Sequence, residues 1–218
     1  MLKASYKHII FDLDGTLSDS RQGIYNAYYH TMRQLALANP GEERLKSLIG
    51  PPLQKGFAEV FGLNGEDKDN AVKVFREYYA AKGLFENTLY GGIKELLVKL
   101  VRSGAILYVA TSKYTPYANQ VLEYFGIINY FKEIAGADYD GHVTKIELIA
   151  GILQRNDIRD PMDVVMIGDT RYDIDAATEL EIDSIGVSYG FSSYDEVNSF
   201  NPDYIAREVS DLERFLIQ

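Results

Sequence analysis

A chain of 218 residues, 46% apolar and 25% charged, can build one large domain or one domain carrying a smaller insertion, and this composition excludes fibrous and disordered classes. Asp and Glu number 32 against 22 for Lys and Arg, and the net charge of −10 repels polyanions, so neither a nucleic acid polymer nor a membrane surface is an expected partner. There is no cysteine, which removes disulfides, thiolate nucleophiles and cysteine-bound zinc.

Residues 1–8 lack the long apolar stretch and small-residue cleavage site of a secretory signal, and a cytoplasmic location is the expectation. No run approaches the roughly 18 apolar residues of a membrane span. His8–Phe11 is an apolar, β-branched run that reads as a buried strand. Asp12-Leu13-Asp14-Gly15-Thr16 follows it without a gap, so Asp12 stands at the carboxyl end of that strand. In extended chain, residues two apart point the same way, so Asp12 and Asp14 can address one site, while Gly15 permits a turn that a side chain would obstruct.

Residues 17–86 show helical periodicity and no convincing strand. Ile24, Tyr28 and Leu35 form one stripe, Leu45, Leu48 and Ile49 a second, and Val72, Phe75 and Tyr79 a third. Gly50-Pro51-Pro52 stops a helix, because proline lacks an N–H and disfavours helix at the residue before it. Beyond this region strands and helices alternate. Ile93, Leu96, Leu97 and Leu100 are spaced as one helix face; residues 106–110 read as a second strand, followed by Thr111-Ser112-Lys113. Those hydroxyls and N–H groups are placed either to hold the oxygens of an anionic ligand or simply to cap the next helix.

Lys145 opens the helix that carries Ile146, Ile149, Ile152 and Leu153, after an Asp140-Gly141 turn. A lysine at a helix start does not suit the macrodipole, which calls for another reason for its presence. Val164–Gly168 is a strand that ends in Asp169, with Asp173 four residues on, and residues 184–187 form a further strand. Alternation of this kind implies an α/β fold with a doubly wound parallel, Rossmann-like sheet, interrupted after its first strand by an inserted α-helical domain. The expected division is residues 1–16 with 87–218 for the sheet domain and 17–86 for the helices.

Such sheets bind ligands at the carboxyl ends of their strands. Asp12, Asp14, Asp169 and Asp173 bring about four negative charges there, and a phosphoryl group would add about two. A divalent cation and Lys145 relieve that repulsion, and oxygen-only ligands favour Mg²⁺ over zinc. His8, His30 and His142 are scattered and read as packing or solvent-facing residues. Arg171 and Lys113 either touch the ligand or lie at the rim.

With these motifs in order, Asp12-Leu13-Asp14-Gly15-Thr16-Leu17, Thr111-Ser112, Lys145, then Gly168-Asp169 with Asp173, the chain resembles the haloacid dehalogenase-like hydrolase superfamily. Within it, the chain resembles the phosphoglycolate phosphatase-like group with an inserted helical cap. The resemblance implies a phosphatase acting on a small phosphomonoester by two-step transfer through an aspartyl-phosphate on Asp12, with Asp14 as general acid and base. It also implies that Mg²⁺ is held by the Asp12 carboxylate, the Asp14 main-chain carbonyl and Asp169, with Asp173 in support or holding Lys145. Thr111, Ser112, Lys113 and Lys145 would bind substrate, and Thr111 and Lys145 would steady the transferring group. Asp14 argues against the dehalogenase branch, which lacks this acid.

Residues 17–86 are similar to the mobile cap of that group, and the segment Ile49-Gly50-Pro51-Pro52-Leu53 to the part of the cap that approaches substrate. Two departures bear on specificity. Thr144-Lys145-Ile146 stands where Gly-Lys-Pro is common, and Gly91 replaces the usual Pro before Gly92. Phosphoglycolate and 5′-nucleotides are both open as substrates. Tyr25, Tyr28, Tyr29, Tyr78 and Tyr79 are placed to stack on a base or, as helical stripes more often do, to form core. A phosphomutase acting on a sugar phosphate and a phosphoacceptor signalling module are the alternatives, the latter needing neither a helical insertion nor Asp14. A monomer or weak homodimer is the expected form.

Overall fold

In the computed structural model, which describes residues 3–49, 53–139 and 141–217, the first strand is His8–Phe11 (β1), buried along its whole length. Four apolar or weakly polar residues in a row, rather than an alternation, are what a strand covered on both faces requires. The chain then makes a two-residue strand, Ser18–Asp19 (β2), before four helices: Arg21–Gln34 (α1), Glu42–Lys46 (α2), Leu53–Phe61 (α3) and Gly65–Tyr78 (α4), the last widening into a π-turn over Tyr79–Gly83. Thr88–Leu89 (β3) pairs with β2 as a separate two-stranded sheet.

From there strand and helix alternate: Ile93–Arg102 (α5), Ile106–Tyr114 (β4), Thr115–Tyr124 (α6), Phe131–Ala137 (β5), Lys145–Arg155 (α7), Val164–Gly168 (β6), Arg171–Glu179 (α8), Asp183–Val187 (β7), Tyr194–Ser199 (α9), Tyr204–Ala206 (β8) and Val209–Leu216 (α10). Six strands form one parallel sheet in the order β5-β4-β1-β6-β7-β8. β1 therefore lies inside, with β4 on one side and β6 on the other, and the winding reverses beside it. That reversal is where an open α/β sheet leaves a crevice for ligand. One face of the sheet buries Ile10, Tyr108 and Met166 against Ile149 and Ile152 of α7 and Ala176 and Ala177 of α8.

The chain divides into two compact units, Met1–Asp19 with Leu89–Gln218, and Ser20–Thr88. The second, helical unit is held by rings. Tyr28 lies 5.3 Å from Phe57 and 4.7 Å from Phe75, and Phe75 stacks on Tyr79 at 5.6 Å. Tyr28 and Tyr79 are thus core, whereas Tyr29 is exposed and Tyr78 hydrogen-bonds Glu86.

Several sequence expectations need correction. The second strand does not stop at Ala110 but runs to Tyr114, so Thr111 and Ser112 are strand residues and Tyr114 is the cap of α6. Residues 17–86 do include a strand, the short β2, because the Leu17 carbonyl accepts the Tyr90 N–H and draws the chain into extended pairing. β5 and β8 were not expected: Lys132, Glu133 and Gly136 break the apolar run of β5, and β8 has only three residues. The Gly50-Pro51-Pro52 stop, the substrate-approaching segment built on it and the Asp140 turn lie outside the described residues. Among the described residues no helix is long and apolar enough to cross a membrane.

Candidate active site

The sheet's own ladder fixes Asp12. Its N–H donates to the Ile167 carbonyl at 2.8 Å, one residue past the end of β1, and its side chain is almost wholly buried. The chain then turns back, with the Gly15 N–H donating to the Ser18 carbonyl at 2.8 Å. Gly15 has φ +87°, and a Cβ there would lie 2.3 Å from Asp169 Oδ2, so both backbone and space require glycine. Asp14 leaves this turn with Oδ2 2.7 Å from Lys113 Nζ. Its Oδ1 is buried and has no hydrogen-bond partner.

β4 and α7 supply the next groups. Thr111 is buried and its Oγ1 accepts the Lys113 N–H at 3.1 Å, while Ser112 is exposed. Thr144 and Glu147 form a capping box at the start of α7, which offsets the poor fit of Lys145 to that helix end. The Lys145 ammonium crosses to the strand ends instead. Nζ lies 2.8 Å from Asp12 Oδ1 and 2.8 Å from Asp173 Oδ1, and donates to the Ala110 carbonyl at 2.9 Å.

Asp169 follows β6 and Asp173 sits one turn into α8; both are fully buried. Asp173 serves two purposes, since Oδ2 accepts the Thr170 hydroxyl at 2.7 Å and the Thr170 N–H at 3.1 Å while Oδ1 faces Lys145. Asp169 Oδ2 accepts the Phe191 N–H at 2.9 Å, and Oδ1 accepts the Thr16 hydroxyl at 3.5 Å. One carboxylate oxygen from each of Asp12, Asp169 and Asp173 lies within 4.8 Å of the others.

Three buried carboxylates facing one buried ammonium leave the cluster short of positive charge. Burial pushes the Asp12 carboxyl up to about 6, although Lys145 works against this, and Asp173 adds to it. Asp169 is raised well above the ordinary range by burial and then by Asp12 and Asp173. Burial disfavours the Lys145 charge, but Asp12 and Asp173 outweigh it and its ammonium is held more firmly than usual. An all-oxygen donor set with surplus negative charge, and no imidazole or thiolate near it, suits a hard divalent cation.

The structure thus brings Asp12, Asp169, Asp173 and Lys145 into one cluster, with Asp14, Lys113 and Thr111 at the same edge of the sheet. Arg171 is exposed and stacks on Phe200, with 5.1 Å from its guanidinium carbon to the ring centroid. His8 meets the Tyr108 hydroxyl, His30 stacks on Tyr78 and His142 faces Asp138, so none joins the cluster. Sequence reasoning placed Thr16 in the first motif without a role of its own and missed Tyr189, Gly190 and Phe191. The available signal was position, since residues 189–191 follow a strand at the carboxyl edge as the recognised motifs do.

The family model described as haloacid dehalogenase-like hydrolase matches residues 9–187. A 5′-nucleotidase from Pseudomonas aeruginosa is 37% identical over 212 residues, which is 97% of this chain and 96% of that protein. The tyrosine-protein kinase PtkA of Mycobacterium tuberculosis is 36% identical over 192 residues, 87% of this chain and 65% of its own length. The solved structure of a haloacid dehalogenase-like family hydrolase from Streptococcus pneumoniae superposes with a TM-score of 0.89 at 33% identity, covering 97% of this chain and 98% of that one.

Proposed function

This chain belongs to the haloacid dehalogenase-like hydrolase family and is a phosphatase; from that premise we propose that it hydrolyses a small phosphomonoester through a covalent phosphoryl group on Asp12. The supporting observation is the placement of Asp12 at the end of an interior strand, with Lys145 Nζ 2.8 Å from its Oδ1. A carboxylate held in this way keeps its orientation while its second oxygen stays available for attack.

In the first step an Asp12 oxygen attacks phosphorus, the bond to the alcohol oxygen breaks, and the departing alkoxide takes a proton from Asp14. In the second, water attacks the aspartyl-phosphate, gives its proton to Asp14 and frees Asp12 and inorganic phosphate. One group beside the nucleophile can serve both steps, and acid–base help of this kind contributes about 10²- to 10⁴-fold. Thr111, Ser112 and Lys145 hold the phosphoryl oxygens, and Lys113 contacts the rest of the substrate. Asp12, the Asp14 main-chain carbonyl and Asp169 would hold Mg²⁺, with Asp173 as the partner of Lys145. When bound, Mg²⁺ supplies positive charge against the phosphoryl oxygens.

The Pseudomonas relative named a 5′-nucleotidase supports placing nucleoside 5′-monophosphates first among substrates, ahead of phosphoglycolate. Phosphate release from a panel of phosphomonoesters with Mg²⁺ tests this. Asp14→Asn should keep fold and metal binding and lose about 10²-fold or more in turnover. No released phosphate from any substrate, or near-normal activity of that variant, would sink the reading.

A further inference from the structure

Between β7 and α9 the chain passes through Ser188, Tyr189, Gly190 and Phe191, none of which enters the mechanism above. Yet this stretch touches the candidate site at three points. The Tyr189 hydroxyl donates to the Thr16 carbonyl at 3.0 Å, and its ring meets Tyr90 edge-on at 5.1 Å. The Phe191 N–H donates to Asp169 Oδ2 at 2.9 Å. Gly190, between them, lies so close that a Cβ would stand 2.1 Å from the Gly15 carbonyl oxygen and 2.7 Å from Asp169 Cβ.

Each contact constrains a different part of the same geometry. Thr16 closes the turn that begins at Asp12, and the Thr16 hydroxyl points back to Asp169 Oδ1 at 3.5 Å. Asp169 is thereby gripped on both oxygens, from the Asp12 turn on one side and from Phe191 on the other. Tyr189 is half-buried, but Thr16, whose carbonyl accepts its hydroxyl, is fully buried, so water does not readily replace that contact once it is lost.

We propose that residues 189–191 form a strap that sets the spacing between the Asp12 turn and the Asp169 carboxylate, with Tyr189 as a positioning residue for divalent-cation binding. The inference rests on the reading that Asp12 and Asp169 hold the cation. Partners that orient metal ligands from outside the coordination sphere matter because a carboxylate displaced by a fraction of an ångström no longer meets the ion, and their loss typically costs about 10- to 100-fold in affinity.

The test is Tyr189→Phe in the full chain, which keeps the ring against Tyr90 and removes only the hydroxyl. Titration of wild type and variant with MgCl₂ by calorimetry, alongside thermal melting of both proteins without metal, separates positioning from bulk stability. The expected result is a rise of about tenfold or more in the Mg²⁺ dissociation constant, with the metal-free melting temperature lowered by no more than about 4 °C. Wild-type Mg²⁺ affinity in Tyr189→Phe, whatever its melting temperature, overturns the strap. Absence of Mg²⁺ binding by the wild-type chain instead overturns the metal-dependent reading, and the strap with it.

Discussion

In the helical unit the buried core is apolar and includes rings packed on rings, Tyr28, Phe57, Phe75 and Tyr79, whereas at the carboxyl edge of the sheet Asp12, Asp169, Asp173 and Lys145 are buried together. Burying one such ring contributes up to about 3 kcal/mol by removing apolar surface from water. Burying an ion costs several kcal/mol even after the surroundings relax, and a partner repays this only when charges balance. At the sheet edge they do not balance. The contrast teaches that the two regions persist for different reasons: one stabilises the fold, and the other is a cost that the fold carries, as a site for the proposed chemistry would be.

Substitutions that remove a side chain from each region should therefore fail in opposite ways. Asp12→Asn is expected to lower turnover by at least about 10⁴-fold, since the proposed mechanism depends on attack by the Asp12 carboxylate. Its metal-free melting temperature should not fall, because one surplus negative charge has gone. A large drop in that temperature would show that the cluster is stabilising after all. Phe57→Ala should destabilise the helical unit by about 3–5 kcal/mol, read from denaturant unfolding, while Mg²⁺ affinity at the sheet edge stays within about twofold.

The smallest expected effect sharpens the electrostatic side of the comparison. Burial raises Asp12 to about 6 and Asp169 well above the ordinary carboxylate range. A carboxylate raised by folding favours the folded protein below its unfolded value and loses that contribution as pH climbs through the folded value. Without metal, then, the protein should lose stability from about pH 4 to above pH 6. If Mg²⁺ binds at Asp12 and Asp169 as proposed, it must displace those protons, so its stabilising effect should grow with pH. Saturating Mg²⁺ should raise the melting temperature at pH 8 by at least about 4 °C more than at pH 5. Equal shifts at the two pH values would place the ion away from Asp12 and Asp169.

Much of this site is legible in the sequence because its side chains follow apolar runs directly. Asp12 after His8–Phe11 and Asp169 after Val164–Gly168 are placed by strand ends alone. Lys145 is legible for a different reason, as a cation where a helix start disfavours one. The extension of β4 to Tyr114 is not, because Ser112, Lys113 and Tyr114 look like loop residues, and it is the pairing of Tyr114 with Ala137 of β5, past an irregularity at Ser112 and Lys113, that continues the strand. Nor is the grip on Asp169 by Phe191, since a main-chain N–H leaves no trace in residue type. Gly190 shows the same limit, for a glycine required by a close neighbour reads like any other until that neighbour is seen.

The interior position of β1 has a consequence for how the enzyme comes into being. Its first residue, His8, pairs with Ile106 on one side and Val164 on the other, and Lys145 lies 133 residues beyond the Asp12 it holds. Until Ile106 and then Val164 have been synthesised, β1 lacks one or both of its neighbours in the sheet, and contacts of such long sequence separation form slowly. A product that stopped short of Lys145 would carry Asp12 without the ammonium that holds it, and one that stopped short of β6 would leave β1 unpaired along one edge.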